Sequence, residues 1–207
     1  MESSIFRIGF WSAIVAAIGA IAFVISTLLQ AGGVTDYFQA SMIGYGTSLI
    51  IPVPFLLAML VLHHTVSEEK KFWTTGALLF GVMYAIYVIQ NYVVQLVTVA
   101  PAWLQGTLSQ ISVLNQTPHS FFWDLDALGY IFQSLAFLIT YPAFGKRGLE
   151  NWLRFFFMAN GVNAPLIAII YFNPTFSIWL PIILGIPWAI TVPGSMFLLA
   201  LFFRKQV

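Results

Sequence analysis

Two aspartates, Asp124 and Asp126, stand inside an otherwise apolar stretch, Phe121-Phe-Trp-Asp-Leu-Asp-Ala-Leu-Gly-Tyr130. A carboxyl group in such surroundings can hold a cation, carry a proton or act as a general acid on an apolar substrate. The two lie two residues apart, about 200° around a helix, so they cannot share a face. Asp126 is followed at plus four and plus seven by Tyr130 and Gln133, which fall on its side of the helix. A second polar stripe, Tyr84, Tyr87, Asn91 and Gln95, lies upstream, and a third combines Asn160, Asn163 and Tyr171. Gln30 and Gln90 add further amides. Hydrocarbon offers such groups no hydrogen-bond partner, so they are expected to point inward and meet one another or water. The structural uses are equally open. Acidic residues in the first turns of a helix complement its dipole, and amides and tyrosines commonly tie helices together.

The elements that must position these residues follow from composition. The 207 residues are 60% hydrophobic and 7% charged, and the mean hydropathy is +0.90. An ordinary soluble domain has about 25% charged residues, so a water-facing surface cannot be built. The class is all-α, a polytopic helical membrane protein. Six apolar runs are long enough to cross about 30 Å of hydrocarbon: 8–29, 43–62, 72–97, 121–141, 152–172 and 179–203. The first is too long for a typical signal-peptide core and reads as a retained helix. Residues 1–207 form one six-helix domain.

All eight basic residues, Arg7, Lys70, Lys71, Lys146, Arg147, Arg154, Arg204 and Lys205, fall on one side of this arrangement. The positive-inside rule then places both termini in the cytoplasm and the chain in the cytoplasmic membrane as a multi-pass protein. Lysines confined to that side exclude a mid-membrane Schiff base, and there is no arginine series for voltage sensing. The sequence contains no cysteine, which removes disulfides, thiolate metal sites and iron–sulfur clusters. No Walker loop or dinucleotide turn is present, and a net charge of +1 offers nothing to nucleic acid. His63, His64 and His119 match no metal-site spacing, so neither a metal nor a cofactor is expected.

Local signals refine the picture. Thr65 with Glu68 predicts a capping box before the third span, and Thr117-Pro118 an N-cap and first-turn proline before the fourth. Ser12, Ala16 and Ala20 form a small-residue stripe along which another helix can approach. Trp73, Trp103, Trp123, Trp152 and Trp179 fall near the predicted interfaces. The long outer loop, 98–120, carries Leu104, Leu108 and Ile111 at helical spacing and predicts a short interfacial helix. Pro52 and Pro54 interrupt the second span, Pro165 the fifth, and Pro181, Pro187 and Pro193 the sixth; such prolines kink helices and can serve as hinges.

The carboxy-terminal half has a recognisable pattern. A span ends in the basic turn Gly145-Lys-Arg-Gly-Leu-Glu-Asn-Trp152, the next closes in Asn173-Pro174, and a proline-rich last span ends in Phe203-Arg-Lys205. Over residues 121–205 this resembles an uncharacterised bacterial and archaeal family of six-span inner-membrane proteins. The resemblance implies the fold and membrane but no activity and no site residues.

The residues themselves predict binding or transport of a small apolar or amphipathic ligand through a cavity in the outer half, centred on Asp126. Asp126 would be the charged contact or proton carrier. Tyr130, Gln133, Asn91, Gln95, Tyr87, Asn163 and Asp124 are the further candidate ligand-binding residues. Two other readings fit the same sequence: an intramembrane enzyme using a carboxylic acid on a lipid-like substrate, and an accessory subunit of a membrane complex. The expected partners are the bilayer, a small apolar ligand, and a second copy or a complex partner.

Overall fold

The computed structural model describes residues 2–175, 177 and 179–206, without the side chains of Glu2 and Tyr37. Its regular structure is helical, with no strand among the described residues. In chain order the α-helices are α1 (Glu2–Ala31), α2 (Tyr37–Leu49), α3 (Pro52–Thr65), α4 (Lys71–Val94), α5 (Ala100–Leu104), α6 (Phe121–Thr140), α7 (Gly148–Asn160), α8 (Asn163–Phe172), α9 (Trp179–Leu184) and α10 (Ile186–Arg204). They group into six helical units long and apolar enough to cross a membrane: Ser3–Ala31, Phe38–Thr65, Glu68–Leu104, Phe121–Ala143, Gly148–Phe172 and Trp179–Arg204. These match the six runs read from the sequence, extended by one residue in the sixth and by eleven in the third. The protein is thus a multi-pass helical membrane protein.

Packing follows chain order and closes on itself. α1 packs on α2 and α3, α3 on α4, α4 on α6, α6 on α7 and α8, α7 on α10, and α10 back on α1. The up-and-down course puts both termini and the basic turns at one end, the near end; the other is the far end. Ala13, Ala16, Ala17 and Ala20 are buried, while Ile8, Trp11, Val15, Ile18, Ile21, Ile25 and Leu28 of the same helix stay exposed. α1 therefore has a small-residue face for its neighbours and a bulky face for lipid. A Cβ on Gly9 would lie 2.7 Å from Val61 Cγ1, so glycine is what permits the close approach of α1 to α3.

Proline sets the breaks. The second span is interrupted at Ile50–Ile51, with Pro52 in the first turn of α3. The fifth breaks between Asn160 and Asn163, ahead of Pro165. The sixth breaks at Gly185, ahead of Pro187, and keeps Pro193 inside α10. A proline lacks the N–H that would continue the ladder, but in a first turn that donor has no intrahelical partner anyway. The third span takes another route. A π-helical turn, Gln95–Val99, joins α4 to α5; widening the helix here accommodates Pro101 at the start of α5.

Three local expectations are corrected. Helix α6 is capped by Ser120, whose Oγ accepts from Trp123 N at 3.2 Å, and not by Thr117; the same hydroxyl accepts from Thr117 N at 3.1 Å, so Thr117-Pro118 belongs to the turn ahead of the cap. No capping box joins Thr65 to Glu68. Thr65 Oγ1 donates instead to Leu62 O at 2.8 Å, and α4 is entered through a 3₁₀ turn, Glu68–Lys70. Within the long loop, Trp103 and Leu104 belong to the extended third span. Beyond them the loop forms a 3₁₀ helix, Leu108–Leu114, broken by non-helical angles at Ile111, because a stretch held at both ends does not settle into one α period.

Candidate functional site

Asp126 lies five residues into α6, about 7–8 Å along the helix at 1.5 Å per residue, and is 4% exposed. Its Oδ2 accepts from the Tyr171 hydroxyl at 2.6 Å and its Oδ1 from Asn91 Nδ2 at 3.4 Å. The Tyr92 and Gln116 side chains also approach it. Among the described residues, the one ion pair is Lys71–Glu68 at the near end. Asp126 therefore meets hydroxyl and amide donors and no basic group. A carboxylate, which only accepts, suits such a ring.

The ring is built from four spans. Asn91 Nδ2 reaches Gln116 Oε1 at 3.0 Å and Phe122 O at 3.3 Å as well as Asp126. Tyr92 and Tyr130 share a hydroxyl contact at 3.0 Å, and Tyr130 donates to Ser48 Oγ at 3.4 Å. Gln95 works as a backbone mimic: its Nε2 donates to Leu114 O at 2.8 Å and its Oε1 accepts from Gln116 N at 3.1 Å. One amide thus fastens the end of the far-end loop to the third span and brings Gln116 to the carboxyl. Tyr171, at the end of α8, is held by Trp123, whose Nε1 donates to Tyr171 O at 3.1 Å, with the two rings 4.4 Å apart. Asn91 Oδ1 and Gln133 Nε2 are buried without a hydrogen-bond partner among the described residues.

Beside this network lies a cavity of about 320 Å³, in the far half between the first, fifth and sixth spans. Phe23, Tyr130, Tyr171 and Trp188 supply its aromatic walls, and Leu28, Ile167, Ile170, Ile182 and Ile186 much of the rest. Asp126 is not a wall residue; it is joined to the wall by the hydrogen bond from Tyr171. The cavity thus lies to one side of Asp126, in the space where α1 does not pack closely on α8.

Of the eight residues singled out, Asp126, Asn91, Gln95 and Tyr130 come together in this network. Gln133 is joined through the wall, its Oε1 accepting from Trp188 Nε1 at 3.0 Å. The others lie elsewhere. Asp124 is exposed. Tyr87 stacks on Phe132 at 5.7 Å and is half-buried, because the inward face of α4 runs through Tyr84, Val88, Asn91 and Gln95 and position 87 falls beside it. Gln90 is exposed for the same reason, and Gln30 is half-buried at the end of α1. Asn163 belongs to a separate clasp between the fifth and sixth spans. There its Nδ2 donates to Thr191 Oγ1 at 3.0 Å and Asn160 Oδ1 at 3.1 Å, and Asn160 donates to Ser195 Oγ at 2.7 Å. Tyr92, Gln116, Ser48 and Trp188 were not anticipated. Tyr92 adjoins Asn91 and could have been found by extending the stripe; Gln116 depends on the loop fold and carries no periodic signal.

Among the described residues no three His, Asp or Glu side chains gather as a metal site. His63 Nδ1 pairs with Thr74 Oγ1 at 2.8 Å, joining the second and third spans. His119 is an exposed residue with φ +65° in the turn before α6. Fold and site together define the class: a six-span helical membrane protein with a buried carboxyl network beside an aromatic-walled cavity. Compared with known protein families, curated proteins and solved structures, the chain matches none.

Proposed function

We propose that the protein binds a small apolar or amphipathic molecule drawn from the bilayer, in the far-half cavity, and moves it across or within the cytoplasmic membrane. One observation carries this reading: a cavity of about 320 Å³ is lined by Tyr171, whose hydroxyl donates to a buried carboxyl that has no basic partner. Its volume is in the usual range for small-molecule sites. Ionisable groups inside spans are costly and commonly mark substrate or ion pathways. Asp126 acts through Tyr171, as charged contact or proton carrier. Tyr130 and Trp188, anchored by Ser48 and Gln133, shape the wall. The proline breaks near Ile51 and Gly185 give the second and sixth spans places to bend. With the basic end in the cytoplasm, the cavity faces the outer leaflet.

Native mass spectrometry of the protein released from mild detergent tests this. The wild type is expected to retain a small molecule. Ala189→Phe, which fills the cavity from its wall, is expected to lose it while remaining folded. Equal occupancy in the two would overturn the reading.

A further inference from the structure

We infer that the occupant of this cavity is a lipophilic organic cation, an apolar body bearing an ammonium-type charge. The inference rests on the ligand-binding reading above and names its substrate class.

Three observations converge. The first is hydrogen-bonding capacity. Each side-chain donor in the wall is already engaged: Thr27 Oγ1 with Phe23 O at 3.0 Å, Tyr130 with Ser48, Tyr171 with Asp126 and Trp188 with Gln133. A sugar, an amino acid or another ligand that must exchange many water hydrogen bonds for protein ones would find little here, and would lose affinity accordingly. A quaternary or tertiary ammonium group needs few or none.

The second is aromatic lining. Trp188 is packed edge-to-face on Phe23 at 5.6 Å and on Tyr130 at 5.5 Å, and Tyr171 adds a fourth ring to the walls. Ring faces attract a cation, most strongly once it is stripped of water.

The third is charge. Asp126 Oδ2 lies 2.6 Å behind the Tyr171 hydroxyl. The other charged side chains of the far end are Asp36 and Asp124, while every Lys and Arg is at the near end. With no basic group at the far end, its carboxyl groups disfavour an anion and favour a cation. The cavity lies between α1 and α8, which do not pack closely on each other, and entry between two spans suits a ligand that partitions into the bilayer first.

Three probes of one chain length separate the possibilities: octyltrimethylammonium, 1-octanol and octyl sulfate. Each is titrated into the full-length protein in zwitterionic nanodiscs, with tryptophan fluorescence and equilibrium dialysis as readouts and empty nanodiscs as the partition baseline. The ammonium is expected to bind saturably, about tenfold or more tighter than the alcohol, with the sulfate weakest. Asp126→Asn should weaken the ammonium about tenfold and leave the alcohol unchanged. Tyr171→Phe, which keeps the carboxyl, should retain the preference for the ammonium. Saturable binding of alcohol and ammonium with equal affinity, unaffected by Asp126→Asn, overturns the cation inference and leaves the cavity reading standing. Saturable binding of none of the three overturns both.

Discussion

The two halves of the bundle are built on the same rings and finished differently. In the near half Phe55 meets Phe137 at 5.2 Å, Phe137 meets Phe157 at 4.9 Å and Phe157 meets Phe144 at 4.8 Å, all edge-on. In the far half the contacts run through Tyr84, Tyr130, Trp188 and Phe23 at 5.5 to 6.0 Å. Tyr84, at 5.6 Å from Phe55, joins the two sets. These near rings have no polar atom to satisfy. In the far half, polar atoms on Tyr92, Tyr130, Tyr171 and Trp188 each need a partner, and finding them ties five spans into a network that leaves a cavity alongside. Buried polar groups add little net stability over well-packed apolar ones. The tyrosines, amides and carboxyl of the far half are thus poorly explained by stability alone, which is what makes that half the candidate site.

Four substitutions sharpen or break this contrast. The largest effect is expected in the dry half: Phe137→Ala should lower stability by about 3–5 kcal/mol, seen as a large drop in the thermal unfolding midpoint in detergent. A far smaller loss would mean that the near half is not the stabilising one. Gln95→Leu should cost about 2 kcal/mol, since Leu114 O and Gln116 N both lose a partner; hydrogen exchange should rise over the 105–119 loop and little elsewhere. Tyr130→Phe keeps the ring and removes the hydroxyl, so about 1 kcal/mol is expected with the cavity retained. Asp126→Asn should change stability least, by under about 1 kcal/mol, because no basic partner is left unpaired; breaking a buried ion pair would instead cost about 3–5 kcal/mol. A loss of that size would show that Asp126 is structural.

Much of the fold was legible because hydrocarbon imposes a simple rule. Runs of apolar residues gave the spans, and the basic residues placed the turns at one end. Asp126, Tyr130 and Gln133 were found by helical spacing within one element. Tyr87 and Asn163 were misplaced because spacing fixes a face but not which neighbour it meets. On α4 the inward face is offset by one residue, and the break at 160–163 turns Asn163 toward α10. Gln116 was invisible because its position depends on how Gln95 grips the loop, a contact 21 residues apart in sequence. The cavity was invisible for a related reason: it lies where α1 does not pack closely on α8, and a gap between helices distant in the chain leaves no periodic trace.

The π turn at Gln95–Val99 bears on which changes of length the chain can absorb. It holds one residue more than an α turn would, so removing a residue there would restore ordinary winding and leave α5 close to its present orientation. Trp103, whose ring lies 5.4 Å from Phe38, would stay near it, and the Gln95 grip on the loop lies upstream of the change. A single-residue deletion between 96 and 99 should therefore keep both the carboxyl network and the seam between the second and third spans. The same deletion a few residues earlier, between Asn91 and Gln95, would turn Gln95 off the loop and dismantle the network from above.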